Sequence, residues 1–302
     1  MLKKRKNIIQ KVKVSVPGSC GELFQGQIEN NRLLISCPIA KYSNVKAELR
    51  SDFKGIISNK NLSKSLLAVK MLFAKLAQPE AGIKIKFNSD LLVGKGMGSS
   101  TADMAAALSA VMILINDQID WKLLKEILLK IEPTDSTIWP GLNLFDYRQG
   151  KICHPLGPPP SFDILIFTEK GQIDTVKFNH KLDSVNIMNN KEDELKKALN
   201  LIKKGIKNKS PKKIAQASII SAEINQKIYP LPYLNYLLKL IKEQPGVYGL
   251  NIAHSGTLVG IFVDEKRNFS NLIKRVDNEI NNIRYLYRTK IISGGIKIET
   301  NN

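Results

Sequence analysis

The sequence predicts an α+β protein of two domains, residues 1–156 and 157–302, and three observations carry that reading. Strand-like and helix-like segments mix in both halves, with no internal repeat. The tract His154-Pro155-Leu156-Gly157-Pro158-Pro159-Pro160 interrupts them near the middle, because proline withholds a backbone donor from helix and strand alike. Hydrophobic residues at 43% and charged residues at 24% of 302 suffice to build two ordinary cores.

Taken in order, Lys11–Val16 and Ile83–Phe87 alternate polar and apolar residues as half-buried strands do. Between them, Leu62–Ala77 carries apolar residues at helical spacing, among them Leu66, Leu67 and Met71. Ala102–Ile115 is apolar almost all round, which predicts a buried helix, and Trp121–Ile131 reads as another. The proline tract closes the first half, and Phe162–Thr168 restarts as a strand. Helices are expected near 191–206, 211–228 and 232–243, then strands near 258–263, 284–292 and 295–299.

Composition excludes disordered, collagen-like and disulfide-stapled chains. The longest apolar stretch, Ala105–Ile115, falls short of a bilayer span, and the six Lys/Arg of residues 1–13 precede no apolar run. A cytoplasmic protein without a membrane partner is expected. Cys20, Cys37 and Cys153 form no C-x-x-C pair, and His154, His180 and His254 lack metal-ligand spacing. Buried or incidental thiols in a reducing compartment are the expected reading of the cysteines. No G-x-S-x-G elbow for Ser-His-Asp chemistry is present. The net charge of +19 is concentrated at residues 3–13 and 196–213 and suits polyanions, so an RNA-binding protein is the alternative from another class. No aromatic-interleaved basic stretch accompanies the charge, and nucleic acid is not the expected main partner.

The most informative segment runs from Leu92 to Asp103. Gly94, Gly96 and Gly98 allow a tight turn and close approach to a ligand. Ser99 and Ser100 suit the helix N-cap, and Asp103 its first turn. Unpaired amides at the positive end of a buried helix make an anion site, within reach of both serine hydroxyls. Two better-known phosphate motifs do not fit: Lys95 falls between glycines, and Gly96-Met97-Gly98-Ser99-Ser100-Thr101 lacks the last glycine of the dinucleotide fingerprint.

At Gly96-Met97-Gly98-Ser99-Ser100-Thr101-Ala102 the chain resembles the GHMP kinase superfamily, whose signature loop is of the Gly-Leu-Gly-Ser-Ser-Ala type. Val16-Pro17-Gly18-Ser19-Cys20-Gly21-Glu22 is similar to its first motif, and His254-Ser255-Gly256-Thr257-Leu258-Val259-Gly260 to its third. Together with Glu132-Pro133-Thr134-Asp135-Ser136 and Leu144–Gly150, these strings resemble the L-threonine kinase branch, which makes O-phospho-L-threonine for the cobalamin side chain. The resemblance implies a two-domain GHMP kinase-like architecture, with a ribosomal S5 domain 2-like N-terminal domain and a ferredoxin-like C-terminal domain. It implies ATP and Mg2+ as cofactors and a small hydroxy-amino acid as partner, with homoserine as the competing acceptor.

The resemblance also implies roles. Gly94, Lys95, Gly96, Met97, Gly98, Ser99 and Ser100 would cradle the phosphates, supported across the cleft by Ser255, Gly256 and Thr257. Ser100, with Ser99 as the alternative, would meet the metal. Asp135, freed from the preceding helix by Pro133, is the candidate general base. Glu132 is the candidate metal carboxylate, with Glu126 competing. Glu22 and Gln25 are expected in a turn facing the cleft. Charge alone assigns Glu22 to an ammonium and Arg148 to a carboxylate.

Overall fold

The structure, a computed structural model, describes residues 11–76, 82–169, 191–226, 230–253 and 256–300. The basic segment before Lys11, together with His254 and Ser255 of the third motif, lies outside the described residues.

Two long strands set the frame. β1 (Lys11–Ile28) and β2 (Asn31–Arg50) form an antiparallel hairpin closed by Glu29 and Asn30, whose positive φ values of 49° and 64° match the strand twist. β2 pairs next with β4 (Gly82–Ser89), and β4 with the short parallel β3 (Gly55–Ser58). On its other flank β1 meets β8 (Val247–Ile252), followed by β9 (Leu258–Val263), β7 (Asp163–Glu169) and β10 (Ile283–Lys290). β5 (Leu142–Asp146) and β6 (Cys153–Gly157) extend from the start of β2, and β11 (Lys297–Thr300) returns to β1. A single continuous sheet therefore joins the two halves of the chain.

Helices cover this sheet. α1 (Ser63–Leu76) and α3 (Trp121–Ile131) flank α2 (Ser99–Asn116), which lies on β1 and β2. α2 buries nearly every side chain, and its Ala105-Ala106-Ala107 run lets it approach closely. By length and composition α2 would cross a bilayer, but here 83% of it is buried inside the protein. In the second half, α4 (Glu192–Lys207) packs on α5 (Pro211–Asn225), and α5 on β1 and β8. α6 (Leu234–Lys242) and α7 (Ser270–Glu279) bury Leu237, Leu240, Leu272 and Val276 against the outer strands.

Two sequence expectations need correction. The proline tract does not begin as a break: Cys153–Gly157 is a strand, with Pro155 opposite Asn143. Its side chains are mostly exposed and β5 is its partner, and an edge position tolerates a residue with no amide to donate. Residues 17–28 do not form a turn but continue β1. The register shifts between Pro17 and Ser19, Ser19 and Glu22, and Glu22 and Phe24, so the Pro-Gly…Gly-Glu string is a bulged bend within a strand. That bend sets Glu22 opposite both Ser36 of β2 and Ile252 of β8.

Candidate active site

A cleft of about 360 Å³ opens where the N-terminus of α2 meets the turn after α3. Gly94, Gly96, Met97, Gly98, Ser99, Ser100 and Thr101 form one side. Asn61 to Ser65 at the start of α1 stand on another, and Glu22, Leu34, Asp103, Tyr147 and the turn from Glu132 to Asp135 stand around the rest.

The glycine loop is held by its backbone. The amide of Ser19 donates to the carbonyl of Met97 at 2.9 Å, and that of Thr257 to the carbonyl of Lys95 at 3.0 Å. A Cβ on Gly96 would lie 2.5 Å from that of Ala253 and 3.1 Å from the Cα of Gly256, so the third motif supports the loop by packing on it. Gly98 has φ 62° and is itself the N-cap of α2, which moves Ser99 and Ser100 from the expected cap into the first turn. The amides of that turn have no helix carbonyl to pair with. Ser99, Ser100 and Thr101 line the cleft, and amides left unpaired at a helix N-terminus suit an anion.

Asp135 follows Pro133 and begins a 3-10 turn, Ser136–Ile138, but its carboxylate makes no capping bond and faces the cleft. A Cβ on Gly98 would sit 2.7 Å from Oδ2 of Asp135, so the loop and the carboxylate touch. Oγ of Ser36 donates to Oδ1 at 3.3 Å, and the Asp135 amide donates to Oγ1 of Thr101 at 3.3 Å. Burial first, and the Glu132 charge second, raise this carboxyl to about 6, against the opposing pull of the Ser36 and Thr101 hydroxyls. A carboxylate with this affinity can accept a proton near neutral pH.

Other acidic groups surround the same space. Glu132 caps the end of α3, lines the cleft and pairs with the ammonium of Lys64. Glu126 is exposed, pairs with Lys75 at 3.0 Å and does not line the cleft, whereas Glu132 does. Asp103 lies beyond the first turn of α2, where it accepts a hydrogen bond from Ser43 and is 7% exposed. Burial raises its carboxyl, opposed by Ser43 and Lys60.

Several expected residues lie elsewhere. The Lys95 ammonium turns from the cleft to the carbonyl of Glu169 at the end of β7, 3.3 Å away. The Thr257 hydroxyl is buried 2.8 Å from that of Thr168, leaving only its backbone to the loop. Gln25 lies in β1 outside the cleft, its amide donating to Ser221 Oγ and its carbonyl accepting from Asn225. Arg148 sits over the Tyr147 ring at 5.9 Å and does not line the cleft, whereas Tyr147 does. Asp146 fixes this arrangement by accepting the amides of Arg148, Gln149 and Lys151.

Comparison with known proteins agrees with this architecture. Residues 61–138 match the family described as GHMP kinases N terminal domain. The chain is 32% identical over 289 residues to the L-threonine kinase of Salmonella typhimurium, covering 94% of each. It is 31% identical over 261 residues to the L-threonine kinase of Citrobacter freundii, covering 85% of this chain and 88% of that one. Among solved structures, homoserine kinase from Cytophaga hutchinsonii superposes with TM-score 0.72 over 99% of this chain and 100% of that one. At 16% identity the last comparison speaks to fold alone, and the fold is the two-domain one of these kinases. With loop, bend and acidic turn meeting in one cleft, this chain belongs to the GHMP kinase superfamily, in its L-threonine kinase branch, and is a small-molecule kinase.

Proposed function

We propose that the protein transfers the terminal phosphoryl group of ATP to the hydroxyl of L-threonine, giving O-phospho-L-threonine. The observation that carries this reading is the contact between Asp135 and Gly98, which sets a proton acceptor against the phosphate cradle. Carboxylates, hydroxyls and backbone amides dominate the cleft, with Asn61 and Lys64 beside them, a set suited to polyphosphate and a hard cation. ATP with magnesium supplies the phosphoryl group and neutralises its charge.

The residues of the chain position and balance charge around that group. Amides at Gly94 to Ser100 would bind the phosphates, and the Ser100 hydroxyl and the Glu132 carboxylate, which pairs with Lys64, would hold the metal that neutralises their charge. Asp135 accepts the proton of the acceptor hydroxyl on a carboxylate oxygen. Glu22, buried at the bend of β1, holds the ammonium of the amino acid. Together with the cytoplasmic setting, use of the product for the cobalamin side chain belongs to this proposal, supported by the resemblance to the L-threonine kinase branch.

The test is ADP release with ATP and magnesium against L-threonine, L-serine, L-homoserine and no acceptor. Threonine-dependent turnover is expected. Turnover with homoserine and not threonine would keep the kinase and discard the acceptor.

A further inference from the structure

Threonine carries its hydroxyl on a carbon that also bears a methyl group and the ammonium-bearing Cα. A pocket that recognises all three substituents reads both the presence of the methyl and the handedness of that carbon. The side of the cleft beside Asp135 offers three unlike surfaces for them, and the β1–β2 register brings those surfaces together. Glu22 of β1 stands opposite Ser36 of β2, and Ser36 donates to Asp135. Leu34 lies two residues before Ser36, so their side chains share one face of β2. Leu34 is 2% exposed overall yet lines the cleft, so a small apolar surface is all it presents. Two bonds hold the surroundings. The Tyr147 amide donates to the Arg32 carbonyl at 3.2 Å, and the Thr134 amide to the Tyr147 carbonyl at 3.2 Å. The wall around Leu34 is thus tied by backbone bonds to the turn that carries Asp135. Leu62, Val93, Met97 and Pro133 are the other apolar linings, from the α1 start, the loop and the turn. Leu34 alone among these apolar linings shares the β2 face with Ser36, the residue that holds the base.

We propose that Leu34 is the specificity residue of the acceptor site: it receives the β-methyl group while Asp135 takes the hydroxyl proton and Glu22 the ammonium. The site then prefers L-threonine over L-serine, which lacks the methyl, and over L-allo-threonine, whose methyl points away from Leu34 when the other two groups are seated. This inference rests on the threonine kinase reading above.

The experiment measures kcat/KM for L-threonine, L-serine and L-allo-threonine in the wild type, Leu34→Ala and Leu34→Phe. The wild type should favour L-threonine over L-serine by about 10- to 100-fold, the range that one methylene-sized group commands. Leu34→Ala should narrow that ratio to within about 3-fold, through loss with threonine and little change with serine. Leu34→Phe, which fills the methyl space, should invert the preference and guards against a poorly folded alanine variant. Equal losses with all three acceptors in both variants, or an unchanged ratio, would overturn the role of Leu34 and leave the kinase reading intact. No amino-acid-dependent turnover in the wild type would overturn both.

Discussion

The glycine loop and the acidic turn face each other across one cleft, but they are built by opposite means. Residues 94–98 are held by main-chain bonds from Ser19 and Thr257 and by contacts that only glycine permits. Residues 132–136 have one backbone bond to a distant element, Thr134 to Tyr147, and Asp135 and Ser136 within them are held by hydroxyls that arrive from elsewhere, Ser36 on β2 and Thr101 on α2. A backbone-built region restricts residue type and so writes itself into the sequence. A side-chain-built region leaves only scattered serines and threonines, which look like any others.

The turn is where the largest effect is expected. Asp135→Asn removes the proton acceptor and should lower kcat by about 10²- to 10⁴-fold. Stability should move the other way. The folded carboxyl is raised to about 6, from an ordinary value of 3.8, so folding favours its protonated form. The resulting stabilisation is full below pH 3.8 and is lost as pH rises through 6. At pH 8 the charged, desolvated group therefore costs about 3 kcal/mol at most, which asparagine avoids. A thermal melt at pH 8 should show the variant more stable than the wild type, with the advantage gone near pH 4. A loss of stability at pH 8 would mean that the carboxylate is held by bonds worth more than its burial. In the wild type, kcat/KM should fall about tenfold per pH unit below 6.

Gly98→Ala tests the opposite side. A side chain there is strained at φ 62° and its Cβ meets Oδ2 of Asp135. Strain of about 1–2 kcal/mol and displacement of the base should lower kcat by about 10- to 100-fold. If kcat holds while KM for ATP rises alone, the contact between loop and base is not used in the reaction.

The same contrast explains what could be read in advance. Three glycine motifs, the Pro133 helix stop and the apolar α2 were legible because each is a demand on residue type. The long β1 was not, since Pro17 and Gly18 look like a turn, and only the pairing of Pro17 with Tyr42 and of Ser19 with Pro38 on β2 keeps the chain extended through them. Ser36 carries no local signal at all: its role arises from standing opposite Glu22 in a ladder. Thr101 stands between Ser100 and Ala102 with nothing local to mark it, yet its hydroxyl receives the Asp135 amide. Tyr147 lines the cleft where the charge of Arg148 points to the neighbour, because charge marks a candidate more readily than orientation does. Asp103 was visible as a carboxylate in an apolar helix, but its bond to Ser43 on β2 depends on the tertiary fold.

Ser36→Ala sharpens the turn's side of the comparison with a smaller effect. The Ser36 hydroxyl lowers the affinity of Asp135 for its proton, so its loss should push that carboxyl above 6. The acid limb of kcat/KM should move to higher pH, with a loss of about 3- to 10-fold at pH 7 that recovers at pH 8.5. A pH-independent loss would instead make Ser36 a support for the turn alone.

Lys95 gives the smallest expected effect and tests the loop's side most directly. Charge in a phosphate loop invites the view that this lysine binds phosphate. Its carbonyl, however, receives the Thr257 amide, and its ammonium reaches across to the Glu169 carbonyl, so both ends tie the loop to the second half of the chain. Backbone cradling does not require the side chain. Lys95→Met keeps the length of the stem and removes the charge, so KM for ATP should stay within about 3-fold of wild type. A rise of tenfold or more, suppressed by added salt, would show that the ammonium leaves Glu169 for the phosphates. The loop would then be a side-chain device as well as a backbone one, and the contrast with the acidic turn would narrow accordingly.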